Sequence, residues 1–215
     1  GVRRSALISL SSLMDDRMRD AKSGQWWHQE PHRALANNSA LYNGGPTEIG
    51  TFMREWMSLY ESKSGERGIF NRSSAKDQCK KIAQDRGEGH THRDPEHKFG
   101  TNPCSEIILR DAEFCNLTEV VVRENDTVES LKDKIELATI LGTWQSTLTN
   151  FRYISSTWKK NCEEERLLGV SLTGIMDCEV TRCIEELPFR LDEMRRVCVE
   201  TNKKFANKIG IPQSA

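Results

Sequence analysis

Gly100-Thr101-Asn102-Pro103-Cys104-Ser105-Glu106-Ile107, followed by Phe114-Cys115-Asn116-Leu117, is the stretch on which the reading of this chain turns. Gly100 and Pro103 point to an irregular loop rather than a helix, because proline removes a backbone donor and glycine loosens the chain. Asn102, Cys104 and Glu106 alternate, so an extended loop would turn all three side chains to one side. That would gather a thiol, a carboxylate base and an amide around one small volume. The apolar run Ile107-Ile108-Leu109 would anchor the loop in a core. Cys115 opens an apolar segment carrying Leu117, Val120, Val121 and Val122. A free cysteine is more often inert core than chemistry, so spacing alone leaves both readings open.

The remaining composition narrows the classes. A chain of 215 residues can build a real core, as one domain or as part of a larger one. Its 31 basic and 32 acidic residues leave a net charge of -1, which offers no global attraction to nucleic acid or an anionic membrane. No apolar run approaches the ~20 residues of a membrane helix, and no signal-peptide core follows Gly1-Val2-Arg3-Arg4. An odd number of cysteines, 7, in a chain of this size points to reduced cytoplasmic thiols rather than a secreted disulfide framework. Cys178 and Cys183 lack the second matched pair of a zinc ribbon. The chain opens on glycine rather than methionine, as expected of a piece of a longer protein.

Working outward from the loop, the run from Ser5 to Leu13 reads as a strand buried on both faces. Asp15 to Lys22 reads as a polar helix, and Trp26-Trp27 as loop packing. Pro31 removes the helix that would align His28 and His32 on a metal. Asn37-Asn38-Ser39 reads as a turn or the start of a strand into Ala40-Leu41-Tyr42. Pro46 introduces an amphipathic helix in which Ile49, Phe52, Met53, Trp56, Leu59 and Tyr60 form a core-facing stripe, stopping at Ser64-Gly65. Gly68-Ile69-Phe70-Asn71 reads as a short strand, followed by a helix capped by Ser73 or Ser74 and running to about Gln84. Residues 86–98 carry His90, His92, Asp94, Glu96 and His97, yet Gly87, Gly89 and Pro95 fix no ligand geometry, so no metal site is expected.

Downstream, Asp126 and Glu129 read as a capping box. The helix they open carries the stripe Val128, Leu131, Ile135, Ala138, Leu141, Trp144 and Leu148. Leu167 to Leu172 reads as a strand ended by Thr173-Gly174. Leu191 to Ile209 reads as a last helix, closed by Gly210 with Pro212 beyond. Strands alternate with helices throughout, which predicts an α/β fold with parallel pairing.

Thr101-Asn102-Pro103-Cys104-Ser105-Glu106-Ile107 resembles the radical-cysteine finger loop of ribonucleotide reductase large subunits. The step from Cys104 to Cys115 resembles the class II branch, the adenosylcobalamin-dependent ribonucleoside-triphosphate reductases. So do Ser62-Lys63-Ser64-Gly65-Glu66-Arg67-Gly68-Ile69-Phe70-Asn71-Arg72, Gly1-Val2-Arg3-Arg4-Ser5-Ala6, and Cys162-Glu163-Glu164-Glu165-Arg166-Leu167-Leu168-Gly169-Val170-Ser171. These landmarks come in the family's order and run nearly end to end.

The resemblance implies part of the ten-stranded α/β barrel of these reductases. Residues 1–215 would be a fragment of a single catalytic barrel domain. Within it, 1–9 would be the end of the effector loop with its strand, and 99–109 the finger loop through the barrel's centre. The implied activity is thiyl-radical reduction of ribonucleoside triphosphates to 2′-deoxyribonucleoside triphosphates, with adenosylcobalamin as radical generator. Cys104 would carry the thiyl radical. Glu106 would take the 3′-hydroxyl proton from a mostly buried position. Asn102 would hold the sugar hydroxyls, and Cys115 would be one of two thiols that end as a disulfide.

Gly1, Val2, Arg3, Arg4 and Ser5 would belong to the loop linking a deoxynucleotide or ATP effector to base recognition, although Arg3 and Arg4 read equally as a solvated pair on their own. The implied partners are the nucleotide substrate and a thioredoxin-like reductant, with no nucleic acid and no membrane, in a cytoplasmic monomer or dimer. None of Cys79, Cys162, Cys178, Cys183 or Cys198 matches the redox partner of Cys115, which is expected upstream of Gly1. The phosphate-binding loop, the cobalamin contacts and the shuttle cysteines are expected beyond Ala215, so the piece alone is expected to be inactive. Two alternatives stand beside this reading: a diphosphate reductase of another branch, and a non-catalytic nucleotide-binding relic. Retention of Asn102, Cys104, Glu106 and Cys115 together argues against the relic.

Overall fold

The computed structural model describes residues 7–63, 65–86 and 93–215. Gly1 to Ser5, Ser64, His90 and His92, singled out above, lie outside them. The chain divides into two compact units, one taken from Gly1–Asp85 and Asp94–Asp111, the other from Arg86–Arg93 and Ala112–Ala215.

In the first unit β1 (Leu7–Ser12), β2 (Ala36–Tyr42) and β3 (Gly68–Asn71) pair in that order, all parallel. Parallel neighbours need long connections. The first carries α1 (Asp16–Arg19), α2 (Trp26–Gln29) and a 3-10 turn at Pro31–Leu35, and the second is α3 (Ile49–Ser62). After β3 comes α4 (Arg72–Arg86), whose first turn is capped by Asn71: its Oδ1 accepts from the N–H groups of Ser73 and Ser74 at 3.0 and 3.2 Å. The cap thus lies two and three residues ahead of Ser73 and Ser74, the serines expected to supply it. An antiparallel hairpin follows, β4 (Gly100–Thr101) with β5 (Ile108–Leu109).

Register gives the parallel sheet two faces. Leu10 stands opposite Ser39 and Ser39 opposite Gly68, so these residues share a face with Asn37 and Phe70. The hairpin base belongs to this face. Phe70 and Ile108 pack against the buried Ala75, Cys79 and Phe99. Gly100 lies where an added Cβ would come within 3.2 Å of Leu10 Cδ1.

The opposite face is polar and buried. Arg67 Nε pairs with Glu55 at 2.9 Å, and its other nitrogens donate to the Ser11 hydroxyl at 2.8 Å and the Ser12 carbonyl at 3.1 Å. Arg19 reaches the second Glu55 oxygen at 2.5 Å. Lys22 pairs with Glu66 at 2.8 Å, and the other Glu66 oxygen accepts the Asn38 N–H at 2.8 Å. Here α3 departs from expectation. Its buried residue is Glu55, while Ile49, Phe52, Met53, Trp56 and Tyr60 are exposed. Two buried guanidiniums require a carboxylate, so the buried position of α3 goes to Glu55, and Phe52, Trp56 and Leu59 beside it line a small cleft with Ala40 and Ile69 of the sheet instead of filling a core.

In the second unit β6 (Asn116–Val121) and β7 (Leu168–Thr173) pair in parallel, with Val120 opposite Leu172. They are joined through α5 (Val128–Gln145) and α6 (Ser156–Glu165). After β7 come a 3-10 turn at Ile175–Asp177, α7 (Glu179–Arg182) and α8 (Leu187–Ile209). The core gathers Val120, Val122, Leu131, Ile135, Ala138, Cys178 and Met194. The observed α/β pairing is parallel, as the alternation of elements predicts.

The expected stripe of α5 holds to Ala138 and then gives way. Thr139, Gly142 and Thr143 are buried, whereas Leu141, Trp144 and Leu148 are exposed. Gly142 allows close approach to β7, since a Cβ there would stand 2.1 Å from Leu168 Cδ1. The threonine hydroxyls bond back to the carbonyls of Ile135 and Thr139 at 2.7 Å each, and Asn202 donates to the Thr143 hydroxyl at 2.9 Å. Small and satisfied polar groups therefore take the buried face.

The cap of α5 also differs from expectation. Thr127 and Ser130 form the reciprocal box, at 3.0 and 3.2 Å, in place of Asp126 and Glu129. Asp126 instead accepts from Lys134 at 2.6 Å, the Arg123 N–H at 2.7 Å and the Ser130 hydroxyl at 2.8 Å. Lys134 foremost holds the Asp126 carboxyl below its ordinary value of 3.8. A depressed carboxyl stabilises the fold fully above its ordinary value, and the contribution is lost as pH falls through the folded value. Denaturant midpoints of Asp126→Asn and parent, taken from about pH 5 to about pH 2, should converge at the acid end. Parallel curves would remove Asp126 from the acid transition.

Candidate functional site

The hairpin tip is a tight turn rather than an extended segment. The Ser105 N–H donates to the Asn102 carbonyl at 3.0 Å, closing residues 102–105, with Pro103 at the position its fixed φ suits. Ser105 takes φ +64, the left-handed region that non-glycine residues rarely enter. Asn102 braces the turn a second time, because its Oδ1 accepts the Ile107 N–H at 3.2 Å. That donor fixes the amide orientation. The Asn102 NH2 makes no hydrogen bond among the described residues. Asn102, Cys104 and Glu106 are thus brought to one loop tip by a turn, not by the alternation of an extended strand.

The base of this loop is fixed and its tip is open. Phe99 is fully buried, and its carbonyl accepts from Arg72 Nε at 2.8 Å; Arg72 also reaches Asn43 Oδ1 at 3.0 Å. Asn102 and Pro103 are half-buried, whereas Cys104, Ser105 and Glu106 are exposed. The described chain therefore does not provide the burial expected at Glu106. Asn37 of β2 donates from Nδ2 to the Pro103 carbonyl at 2.6 Å. Reasoning from sequence missed that contact, since a polar triplet before an apolar run carries no distinct signature.

Cys115 belongs to the second unit, half-buried immediately before β6. Its neighbours pin it. The Phe114 N–H donates to the buried Cys162 Sγ at 3.3 Å, and Asn116 bonds the Leu167 carbonyl through its backbone N–H at 2.8 Å and its side chain at 3.0 Å. The Phe114 ring packs against Trp158 and Phe151, with centroids 4.5 and 5.3 Å away. All seven cysteines are thiols.

Elsewhere in that unit a cavity of about 300 Å³ opens between β7 and α8, lined by Leu168, Val170, Leu172, Met194, Cys198 and Asn202. Burial pushes the Cys198 thiol pKa up, the opposite of what a reactive cysteine needs. Among the described residues no three His, Cys, Asp or Glu side chains are grouped to hold a metal, and no helix is long and apolar enough to cross a membrane.

Seven curated proteins named adenosylcobalamin-dependent ribonucleoside-triphosphate reductase are similar to this chain. That of Lacticaseibacillus paracasei is 33% identical over 179 residues, covering 82% of the chain and 22% of the relative. Those of Levilactobacillus brevis and Lactobacillus acidophilus are 30% and 29% identical over 179 and 181 residues, with the same coverage. The chain thus spans about a fifth of the length of the relatives it matches. No family model and no solved structure matches it.

Proposed function

We infer that the chain belongs to the adenosylcobalamin-dependent ribonucleoside-triphosphate reductases and supplies such an enzyme's radical-cysteine loop. One observation carries this: the exposed Cys104 thiol at the corner of a doubly braced turn that also bears Asn102 and Glu106. The similarity to reductases over 82% of the chain supports it. The parallel pairing of strands within each unit supports reading the chain as part of the family's ten-stranded α/β barrel, with residues 99–109 as its finger.

Reducing a ribonucleotide replaces an unactivated 2′-hydroxyl, which becomes a leaving group once hydrogen is removed from the neighbouring 3′-carbon. The Cys104 sulfur takes that hydrogen as a thiyl radical. Glu106 takes the 3′-hydroxyl proton, and the Asn102 NH2, which makes no hydrogen bond among the described residues, donates to a sugar hydroxyl. Cys115 and a second thiol give up two electrons and two protons, ending as a disulfide while the 2′-oxygen leaves as water. Adenosylcobalamin, when bound, supplies the one-electron chemistry that converts a thiol to a thiyl radical. The exposed thiol of Cys104 fits that requirement, because hydrogen must be drawn from it by a group that reaches the loop tip. Triphosphate substrate, a deoxynucleotide or ATP effector contacting Gly1 to Ser5, and a thioredoxin-like reductant complete the proposal.

The test is deoxynucleotide formation by a protein carrying this stretch over the relatives' full length, with di- and triphosphates supplied separately beside a dithiol. Activity on triphosphates that requires adenosylcobalamin is the expected result. Activity without the cofactor, or on diphosphates alone, would move the chain to another reductase branch. Complete inactivity of folded protein would favour a nucleotide-binding relic.

A further inference from the structure

We propose that Asn37 is a positioning residue for the Cys104 thiol, holding the turn that carries it through the Pro103 carbonyl; the proposal rests on the reading of Cys104 as the reactive cysteine. Asn37 Nδ2 donates to that carbonyl at 2.6 Å. Proline has no N–H, so its carbonyl is the hydrogen-bonding backbone group it offers. The same carbonyl belongs to the planar peptide that ends at the Cys104 nitrogen. Holding the oxygen therefore fixes that plane, and with it the position from which the Cys104 Cα and Cβ project.

The other bonds of the turn close it on itself, from Ser105 N–H to the Asn102 carbonyl and from Ile107 N–H to the Asn102 side chain. Among the described residues, Asn37 provides the turn's hydrogen bond to the parallel sheet. Asn37 is well placed to act as a fixed support. It stands on β2 opposite Ile8 of β1, and the residues that follow it, Asn38, Ser39 and Ala40, are all buried. A donor on a rigid strand orients a reactive group better than a contact within the loop. Asparagine suits the role because its NH2 donates without charge, whereas the near-isosteric aspartate offers the carbonyl only further oxygen.

Asn37→Ala and Asn37→Asp test this with two readouts. Hydrogen exchange on the chain reports the turn directly. The amides of residues 105–107 should exchange about 3- to 10-fold faster in both variants, with β1 and β2 unchanged. In the protein of the relatives' full length, kcat should fall about 10- to 100-fold with KM unchanged, the mark of a displaced reacting group. Unchanged loop exchange in both variants overturns the proposal, as does faster exchange with unaltered kcat. Equal loosening of β2 would make Asn37 merely structural, which also overturns it. An inactive parent would instead sink the assignment of Cys104 and the proposal with it, a result distinguishable because the parent is assayed first.

Discussion

Cys104→Ser, in the protein of the relatives' full length, is expected to lose deoxynucleotide formation by at least about a thousandfold, or roughly 4 kcal/mol of transition-state stabilisation. A hydroxyl matches the thiol in shape but holds its hydrogen far more tightly, so it cannot become the hydrogen-abstracting radical. The substitution should leave the loop intact. The bonds that brace the turn run between Asn102, Ser105 and Ile107 and from Asn37 to Pro103, none through the Cys104 side chain. Loss of turnover with unchanged loop hydrogen exchange would therefore report chemistry rather than unfolding. Glu106→Gln should cost less, about 10²- to 10⁴-fold, as removal of a general base usually does. Cys183→Ser is the control, since Cys183 is the C-cap of the short helix α7 and not among the paired residues of β6 and β7, and it should not alter turnover. A Cys104→Ser protein that still reduced nucleotides would end the radical assignment whatever the similarity to reductases.

What the sequence made legible follows from how local each feature is. Gly68–Asn71 was readable as a strand because a glycine break and a following helix bound it, and the structure places β3 on those same residues. The helix at Ile49–Ser62 was readable from its 3.6-residue period, but its orientation was not. A period marks which residues share a face and says nothing about which face meets the sheet. Glu55 decides that, through Arg19 and Arg67, which lie 36 and 12 residues away in the chain.

The same limit applies to α5, where Leu141 and Trp144 look like core and Gly142 and Thr143 fill it. At the loop, Cys104 and its neighbours could be singled out because unlike chemistry was packed into a few residues. Its turn geometry and its bond to Asn37 could not, since a contact spanning 66 residues leaves no trace in local pattern.

The other large effect concerns the support beneath the loop. Glu55→Ala should destabilise the first unit by about 3–5 kcal/mol, the usual cost of removing one partner from a buried ion pair. The side chains of Arg19, Arg67 and Glu55 are 7%, 2% and 8% exposed, so both guanidiniums would be left without their shared carboxylate in a place water scarcely reaches. The loss reaches the strands, because Arg67 also ties Ser11 and Ser12 of β1, and Ser11 donates to Asn38 of β2 at 3.3 Å. Urea unfolding followed by fluorescence, with Trp144 and Trp158 of the second unit replaced by phenylalanine so that the signal comes from Trp26, Trp27 and Trp56 of this one, would measure it. The triple substitution Arg19→Met, Glu55→Leu, Arg67→Met should cost less than Glu55→Ala alone, since it removes the buried charges together rather than leaving Arg67 without a carboxylate and Arg19 with only the exposed Asp16. Raising salt should change the parent's midpoint little, because buried pairs are weakly screened. A Glu55→Ala shift below about 1 kcal/mol, the range of exposed pairs, would show that water reaches this cluster and that the strands under the Cys104 hairpin do not depend on it.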